Sequence, residues 1–254
     1  MSVRLKGKRV LVYGGGSGIG LACSAAMLTE GSAICLSGRR ESVLQASADS
    51  LKHLGRVFFC AGDATSVSDV QRVTSQAVGF LGGLDTIVIS AGVGGRTTIL
   101  DCEPGEFQRI IDGNIRAAFL PMRYAVGHLI SAGRASIIVI SSTFGLVGQK
   151  ERVAYCAAKA GVIGLVRSAA MDLADKGVRV NAICPGFVET PLALQVARGE
   201  PDPQAHLEAR RNMHPIPRGG RLDEMGELAV YLASDLSAFV TGQAIAIDGG
   251  YSAR

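Results

Sequence analysis

Residues 10–20 read Val10-Leu11-Val12-Tyr13-Gly14-Gly15-Gly16-Ser17-Gly18-Ile19-Gly20, and they join a short apolar run to a segment of helical period that continues to Glu30. Five of the seven residues from position 14 to position 20 are glycine. Glycine adopts positive φ and lets a phosphate approach the backbone, and the N-terminus of the following helix offers free N–H groups and positive potential. The turn therefore predicts a site for the pyrophosphate of a dinucleotide. A nucleotide triphosphate is disfavoured, because no Gly-Lys-Ser/Thr follows.

The rest of the chain alternates similar apolar runs with longer segments of helical period. Predicted strands cover residues 10–13, 33–37, 57–60, 86–90, 136–141, 178–183 and 244–247, and predicted helices cover residues 19–30, 41–53, 67–81, 104–111 continuing into 114–131, 152–176 and, more briefly, 204–213. Continuous apolar strands are typical of parallel strands that are buried on both faces. The pattern predicts an α/β fold in one domain over residues 1–254: a Rossmann-type, doubly wound, seven-stranded and mostly parallel sheet with helices on both faces.

The composition supports a large core and disfavours several classes of protein. Of the 254 residues, 48% are hydrophobic, 19% are charged and 33 are glycine, which is about 13% against a usual share of roughly 7%. The net charge of +4 is scattered, with no run of Lys or Arg longer than two, and this argues against nucleic-acid binding. No apolar stretch reaches the roughly 18 residues of a membrane span, and the N-terminal apolar run is too short for a signal peptide.

The cysteines indicate the redox compartment. The chain has six of them, no two form a CxxC pair, and most lie in apolar runs such as Val57-Phe58-Phe59-Cys60. Buried thiols of this kind behave as small hydrophobic side chains. They are interpreted as reduced core residues of a cytoplasmic protein, and neither disulfides nor a metal site is expected.

One irregular stretch, at about residues 187–220, interrupts the alternation of strands and helices. It holds five of the eight prolines and leaves the carboxyl end of the sixth predicted strand. Ligands of open α/β sheets bind outside the carboxyl ends of the strands. Since long insertions in compact domains are usually functional, this one is interpreted as a lid over the substrate.

The ends of the second and third strands bear on the choice of dinucleotide. An acidic residue after the second strand would bind the ribose hydroxyls of NAD, but the chain has Ser37-Gly38-Arg39-Arg40 there. A guanidinium can bind a 2′-phosphate through charge-assisted hydrogen bonds, so NADP is favoured, with NAD possible. The alternative is that both arginines are solvated at a turn. Asp63, after the third strand, is either a contact to the adenine or a turn or N-cap residue.

Tyr155-Cys156-Ala157-Ala158-Lys159 is the strongest chemical feature of the sequence. The i, i+4 spacing places the phenol and the ammonium on one face of a helix. A nearby cation stabilises phenolate, so Lys159 is expected to lower the pKa of Tyr155 and make it a proton donor and acceptor near neutral pH. Ser141-Ser142-Thr143, at the end of the fifth strand, would meet this helix start at the same edge of the sheet.

Taken together, these motifs make the chain resemble the short-chain dehydrogenase/reductase family over essentially its whole length. The matching positions are Gly14, Gly18, Gly20, Asp63, Ser90-Ala91-Gly92, Asn114, Ser142, Tyr155, Lys159, Pro185-Gly186, Thr190, Thr241-Gly242-Gln243 and Asp248-Gly249-Gly250. The resemblance implies a homotetramer assembled through the two long helices. It also implies hydride transfer between a nicotinamide cofactor and a carbonyl or alcohol substrate.

The resemblance also implies the roles of individual residues. Tyr155 would exchange a proton with the substrate oxygen, Ser142 would polarise that oxygen, Lys159 would bind the nicotinamide ribose, and Asn114 would hold a water in the proton relay. The implied cofactor contacts are Gly14, Gly16, Ser17, Gly18, Ile19, Gly20, Gly38, Arg39, Arg40, Asp63, Ala64, Ser90, Ala91, Gly92, Tyr155, Lys159, Pro185, Gly186, Val188 and Thr190.

The sequence departs from the family pattern at three points. Tyr13 stands where the family usually has Thr, and Ile89-Ser90-Ala91-Gly92 stands where it has Asn-Asn-Ala-Gly. Ser17 occupies a position at which members that prefer NADP often carry Lys or Arg. Backbone contacts to the cofactor can survive these changes.

The substrate is less defined than the chemistry. His206, Arg210, Arg211 and His214 are candidates to meet an anionic substrate, although a solvated surface explains them as well. Leu192, Leu194, Val196 and Met213 either line an apolar pocket or pack between helices, and Gly94-Gly95-Arg96 is another possible edge of the site. The leading hypothesis is an NADP-dependent carbonyl reductase or alcohol dehydrogenase. The alternatives are a 3-oxoacyl thioester reductase and a dinucleotide-sensing protein without turnover.

Overall fold

Seven strands form one sheet in the computed structural model, which describes residues 3–253. They are β1 (Arg9–Tyr13), β2 (Ala33–Gly38), β3 (Val57–Ala61), β4 (Thr86–Ile89), β5 (Ala135–Ile140), β6 (Val178–Pro185) and β7 (Ala244–Ile247). Their spatial order is β3-β2-β1-β4-β5-β6-β7, and each neighbouring pair is parallel. The predicted doubly wound sheet is confirmed.

Helices cover both faces of the sheet. They are α1 (Gly18–Thr29), α2 (Glu41–Leu51), α3 (Val67–Leu81), α4 (Pro104–Ile111), α5 (Ala117–Ala132), α6 (Val153–Leu173), α7 (Pro191–Arg198), α8 (Pro203–Asn212) and α9 (Leu222–Ala233). One core packs α3, α5 and α6 against the sheet, and a second core packs α1, α2 and α9 against its other face. Leu11 of β1 belongs to the first core, and Val10 and Val12 belong to the second. This two-sided burial explains why the strands are continuous apolar runs.

Three helical features differ from the sequence-based expectation, and the first is α7, which lies in the stretch predicted to be irregular. The helix α9 was not predicted, although its buried residues Met225, Ala229 and Ala233 recur at helical spacing. It packs closely on α1, where a Cβ at Gly226 would lie 2.9 Å from the Cβ of Ala26. A π-helical turn, Asp112–Arg116, joins α4 to α5 and carries Asn114 at its centre.

The insertion between β6 and α9 contains α7 and α8. Its two ends meet, because Val188 and Gly220 form an isolated parallel bridge and Gly220 N–H donates to the carbonyl of Phe187 at 2.8 Å. The insertion therefore leaves the sheet and returns to it at one place, beside the carboxyl end of β6.

The long helix α6 is rich in apolar residues. By length and composition alone, the stretch Val153–Lys176 could cross a membrane, with a mean hydropathy of 1.3. Its buried side chains, such as Val162 and Val166, lie instead in the core against the sheet. This is the behaviour of a core helix in a doubly wound fold.

Candidate active site

The glycine-rich turn after β1 lies at the carboxyl edge of the sheet, where the strand order reverses between β1 and β4. Gly14 has a φ of 78°, and a Cβ there would lie 2.6 Å from the backbone nitrogen of Ala91. A side chain would therefore block the floor of this crevice. Ser17 precedes α1 and does not cap it with its side chain, so the N–H groups of the first turn can face a phosphate. These residues fit the pyrophosphate of a dinucleotide.

The phenol of Tyr155 is brought to the same edge by the start of α6. The side chain of Ser142 lies near enough to the Tyr155 phenol to lower its pKa, and Ser142 Oγ accepts from the N–H of Phe144 at 3.1 Å. The ring of Phe144 packs edge-on against Tyr155, with 6.4 Å between the centroids. The strand end and the helix start therefore meet as the sequence predicted, and both neighbours limit the positions open to the phenol.

Lys159 is buried beneath this phenol. Its Nζ donates to the carbonyl of Ile140 at 3.0 Å and lies 5.7 Å from the centre of the Tyr155 ring. Burial lowers the pKa of Lys159 to about 8, because exclusion of water disfavours the ammonium form.

The pKa of Tyr155 differs from the sequence-based expectation. Its pKa is raised, because burial of the phenol outweighs the lowering effects of the hydrogen bond from Ser142 and of the charges on Arg152 and Arg210. The expectation that Lys159 lowers it was wrong for this structure.

The side chain of Asn114 has one hydrogen-bonded polar atom and one polar atom without a partner among the described residues. Its Nδ2 donates to the carbonyls of Val93 at 2.9 Å and Ile110 at 2.8 Å, while its buried Oδ1 has no partner among the described residues. A Cβ added at Gly92 would lie 2.8 Å from that oxygen and 3.5 Å from Lys159 Nζ. The end of β4 therefore passes between Asn114 and Lys159, where a side chain would not fit.

The residues expected to hold the adenosine half lie at the ends of β2 and β3. Arg39 and Arg40 are exposed, and neither forms an ion pair with another residue in positions 3–253. Asp63 Oδ1 accepts from the N–H and the hydroxyl of Thr65, each at 2.8 Å, so at least one of its oxygens serves a turn. Ala64 is buried behind it.

The departures from the family pattern have structural explanations. Tyr13 points into the core, and its hydroxyl lies 3.1 Å from the hydroxyl of Thr74 on α3. Ile89 is buried in the same core, so neither side chain faces the crevice. The N–H of Ser90 donates to the carbonyl of Tyr13 at 2.8 Å, which keeps the backbone at this point in the sheet.

The turn after β6 borders the crevice opposite the glycine-rich turn. Pro185 ends β6, and a Cβ at the next residue, Gly186, would lie 2.7 Å from His214 Nε2. Val188 is buried, and the methyl group of Thr190 lies 3.5 Å from where a Cβ of Gly18 would be. This turn and the glycine-rich turn therefore face each other across the crevice.

Two of the four charged candidates in the insertion are structural. His214 accepts from the N–H of Phe187 at Nε2, at 3.1 Å, and its Nδ1 donates to the carbonyl of Arg210 at 3.0 Å. Arg211 pairs with Glu189 at 2.8 Å. Both therefore hold the insertion to the end of β6, and the suggestion that they meet an anionic substrate is corrected here.

Arg152 is a residue that the sequence analysis missed. It immediately precedes α6, and one of its guanidinium nitrogens donates to the carbonyl of Gly95 at 2.6 Å. Its charge lowers the pKa of Tyr155. The i, i+3 spacing between Arg152 and Tyr155 was the signal that could have identified it.

Lys159→Met is expected to stabilise the protein lacking cofactor at neutral pH while removing a charge from the site. Unfolded lysine titrates near 10.4, so between about pH 8 and pH 10 the unfolded state binds more protons and the free energy of unfolding rises with pH. We expect the variant to be more stable than the parent by roughly 1–3 kcal/mol at about pH 7 in urea unfolding. This advantage should shrink by about 1–2 kcal/mol at about pH 9.5. A difference that does not change with pH would contradict the burial argument.

The comparisons with known proteins agree with this geometry. The family model described as enoyl-(acyl carrier protein) reductase matches residues 14–252. The chain is 36% identical over 256 residues to 2-(S)-hydroxypropyl-CoM dehydrogenase 3 of Xanthobacter autotrophicus. The alignment covers 100% of each of the two chains. It is 35% identical to cis-4-hydroxycyclohexanecarboxylate dehydrogenase of Sinomonas cyclohexanicum, over 96% of each.

The chain is also similar to an acyl-carrier-protein reductase and to a protein of known structure. The chain is 31% identical to 3-oxoacyl-acyl-carrier-protein reductase of Thermotoga maritima, over 98% of this chain and 99% of that one. The crystal structure of a short-chain type dehydrogenase/reductase from Mycobacterium marinum superposes with a TM-score of 0.91 at 32% identity, over 100% of this chain and 98% of the other.

Proposed function

The chain belongs to the short-chain dehydrogenase/reductase family, and on that premise we propose that Tyr155 is the general acid–base group of its reaction. The protein is an oxidoreductase of alcohol and ketone substrates, and its family implies a nicotinamide dinucleotide cofactor. The observation that carries the assignment of Tyr155 is its place between the side chain of Ser142 and the buried ammonium of Lys159, whose Nζ lies 5.7 Å from the centre of the ring.

The proposed roles follow from donor and acceptor chemistry. When bound, the nicotinamide supplies or receives the hydride. In reduction, the Tyr155 hydroxyl donates its proton to the substrate oxygen, and Ser142 Oγ–H donates a hydrogen bond that stabilises the charge developing there. In oxidation, Tyr155 takes the proton back. Its raised pKa keeps the phenol protonated at neutral pH, which suits the direction of reduction.

Lys159 and Asn114 support the phenol. The ammonium of Lys159 faces the side of the crevice where the nicotinamide ribose would lie, since it is beside the backbone of Gly92. The free Oδ1 of Asn114 is a buried acceptor next to it. A water between these groups would satisfy that oxygen and connect Lys159 to the solvent.

The backbone would hold most of the cofactor. The turn from Gly14 to Gly20 would bind the pyrophosphate, the end of β4 and the turn after β6 would bind the nicotinamide half, and Asp63 with Ala64 would border the adenine. For the ribose phosphate we propose Arg39 and Arg40, so that NADP is preferred over NAD. Their exposure beyond β2 and the absence of a carboxylate at Gly38 support this choice.

Arg39→Gln is expected to weaken NADPH binding roughly 10-fold and to leave NADH binding within about 3-fold, because one charge-assisted hydrogen bond to phosphate is lost. The measurement is kcat/KM for each cofactor at saturating ketone, read as nicotinamide absorbance. Arg56→Gln provides a matched control, because its guanidinium lies on the ring of Phe80, away from the crevice. A parent enzyme that prefers NADH would overturn the assignment to NADP.

The substrate class is tested by a panel in both directions with both cofactors. Secondary alcohols and ketones are expected to turn over. A second candidate, reduction of a 3-oxoacyl thioester, is favoured by the likeness to the acyl-carrier-protein reductase, and acetoacetyl-CoA in the panel distinguishes it. Binding of NADPH without turnover of any compound would indicate a sensor.

We also propose the setting in which the enzyme works. One domain carries both cofactor and substrate, with the insertion of about residues 187–220 as the substrate lid. Phe119 of α5 is 47% exposed and Met171 of α6 is 81% exposed, which supports assembly of a homotetramer through these two helices. The six free cysteines support a reducing, cytoplasmic environment.

A further inference from the structure

A cavity of about 260 Å³ lies between the start of α6, the insertion and the loop after β4. It is lined by Arg96, Gln149, Lys150, Glu151, Arg152, Glu200, His206 and Arg210. Arg152 and Arg210 are also the cationic side chains whose charges reach the phenol of Tyr155. The cavity therefore adjoins the reacting end of the site and is lined with more basic than acidic side chains.

The two acidic side chains of the cavity already have partners. Glu151 pairs with Arg96 at 2.6 Å, and Glu200 lies 3.8 Å from His206 Nδ1. Arg152 and Arg210 pair with no carboxylate in the described part of the chain. With the exposed Lys150, which is also in no ion pair with a described residue, three cationic groups of the cavity are left without an anion.

The neighbours of the two arginines fix them without neutralising them. Arg152 donates to the carbonyl of Gly95 at 2.6 Å, and the guanidinium of Arg210 lies 5.3 Å from the ring centre of Phe187. The carbonyl of Arg210 is held by His214 Nδ1 at 3.0 Å. The two guanidinium groups therefore contact a carbonyl and a ring, and neither of these is an anion.

The arrangement is electrostatically unfavourable as it stands. Arg210 is half-buried, and its pKa is lowered by that burial and by the charge of Arg152. Burial of like charges is unfavourable unless an anion compensates them. A guanidinium fork is matched to a carboxylate or a phosphate, which it binds through two parallel hydrogen bonds.

We propose that the substrate carries an anionic group, a carboxylate or a phosphate-like group, which binds between Arg152 and Arg210 while its carbonyl carbon lies at Tyr155. The natural substrate is then an oxo acid or the corresponding hydroxy acid. This inference rests on the proposed function, because it uses the same site and the same acid–base group.

The test compares anionic ketones with neutral partners of the same skeleton. The probes are 4-oxopentanoate, 3-oxobutylphosphonate and 4-oxocyclohexanecarboxylate, together with the methyl esters of the two carboxylates. We expect kcat/KM for the best anion to exceed that for the neutral probes by roughly 10- to 100-fold, mainly through KM. Raising the salt from about 0.05 M to about 0.5 M should raise KM for the anion and leave KM for the ester nearly unchanged. The carboxylates and the phosphonate distinguish the two kinds of anion.

Substitutions of the two arginines test where the anionic group binds. Each arginine charge also acts on the pKa of Tyr155, so Arg210→Gln and Arg152→Gln lower kcat/KM for both kinds of substrate, and we expect the loss for the preferred anion to exceed the loss for its neutral partner by roughly 10-fold or more. Arg210→Lys should recover part of the loss. Arg211→Gln is the matched control, since this neighbour on α8 is already paired with Glu189. It should leave the ratio of anion to neutral substrate unchanged.

The outcomes separate this inference from the proposed function. If neutral ketones turn over as well as the anions, or if both arginine variants lower the two kinds of substrate equally, the anion site is wrong and the reductase assignment stands. If no ketone turns over although NADPH binds, the proposed function itself fails.

Discussion

Tyr155→Phe is expected to lower kcat by roughly 10²- to 10⁴-fold, which is the contribution usual for a positioned acid–base group. The phenol is the hydroxyl aligned by Ser142, and phenylalanine keeps the ring that packs against Phe144. The fold and the binding of NADPH should therefore be retained. The measurement is steady-state turnover of the best ketone, together with NADPH binding followed by fluorescence.

Tyr231→Phe is the matched control, because that phenol lies on α9 in the core opposite α6. It should leave kcat within about 2-fold of the parent, since the change is remote from the reacting atoms. If Tyr155→Phe also kept the parent rate, another group would have to transfer the proton. A loss of NADPH binding in that variant would instead assign the phenol to holding the cofactor.

Gly20→Ala is expected to raise the Kd for NADPH more than about 10-fold and to lower the free energy of unfolding by roughly 1–3 kcal/mol. A Cβ at this position would lie 2.3 Å from the carbonyl oxygen of Gly14 and 3.1 Å from the Cβ of Ser90. The atom it meets first is backbone, so the start of α1 has to move away from β1. That movement displaces the N–H groups that face the pyrophosphate.

Gly79→Ala tests the same chemical change where there is space. Gly79 is exposed within α3, and nothing lies within 4 Å of an added Cβ. Alanine should therefore stabilise the helix by about 1 kcal/mol and leave NADPH binding unchanged. Urea unfolding and cofactor titration of both variants provide the comparison. Equal effects at the two positions would mean that the crowding at Gly20 is irrelevant.

Much of the fold was predictable, because strands and helices that are buried show a regular pattern of apolar residues in the sequence. The central strands β1, β2, β4, β5 and β6 are buried on both faces and read as apolar runs, and helices such as α3 and α4 carry an apolar period. The helix α9 carries the same spacing, since Met225, Ala229 and Ala233 are buried on one face, and it was nevertheless missed. The close contact of α9 with α1 depends on Gly226 and is a tertiary fact that no local pattern contains.

Only part of the candidate site was predictable from the sequence. Ser142, Tyr155 and Lys159 were predictable, since the spacing and the strand end bring them together. The pKa values were not, because burial of Lys159 and of the phenol depends on residues from several elements. The partners of the charged side chains were not predictable either. Arg210 and Arg211 are adjacent and equivalent in the sequence, and only the fold shows that Arg211 pairs with Glu189.

The bridge between Val188 and Gly220 makes the segment between them an exchangeable cassette. Because its ends are already joined, a longer or shorter cassette changes the entropy of loop closure only slightly and leaves the sheet and Tyr155 in place. Arg210 is part of this cassette, whereas Arg152 lies outside it, immediately before α6. Replacement of residues 189–219 during evolution can therefore alter the charge that a substrate must carry while the proton-transfer chemistry is inherited intact.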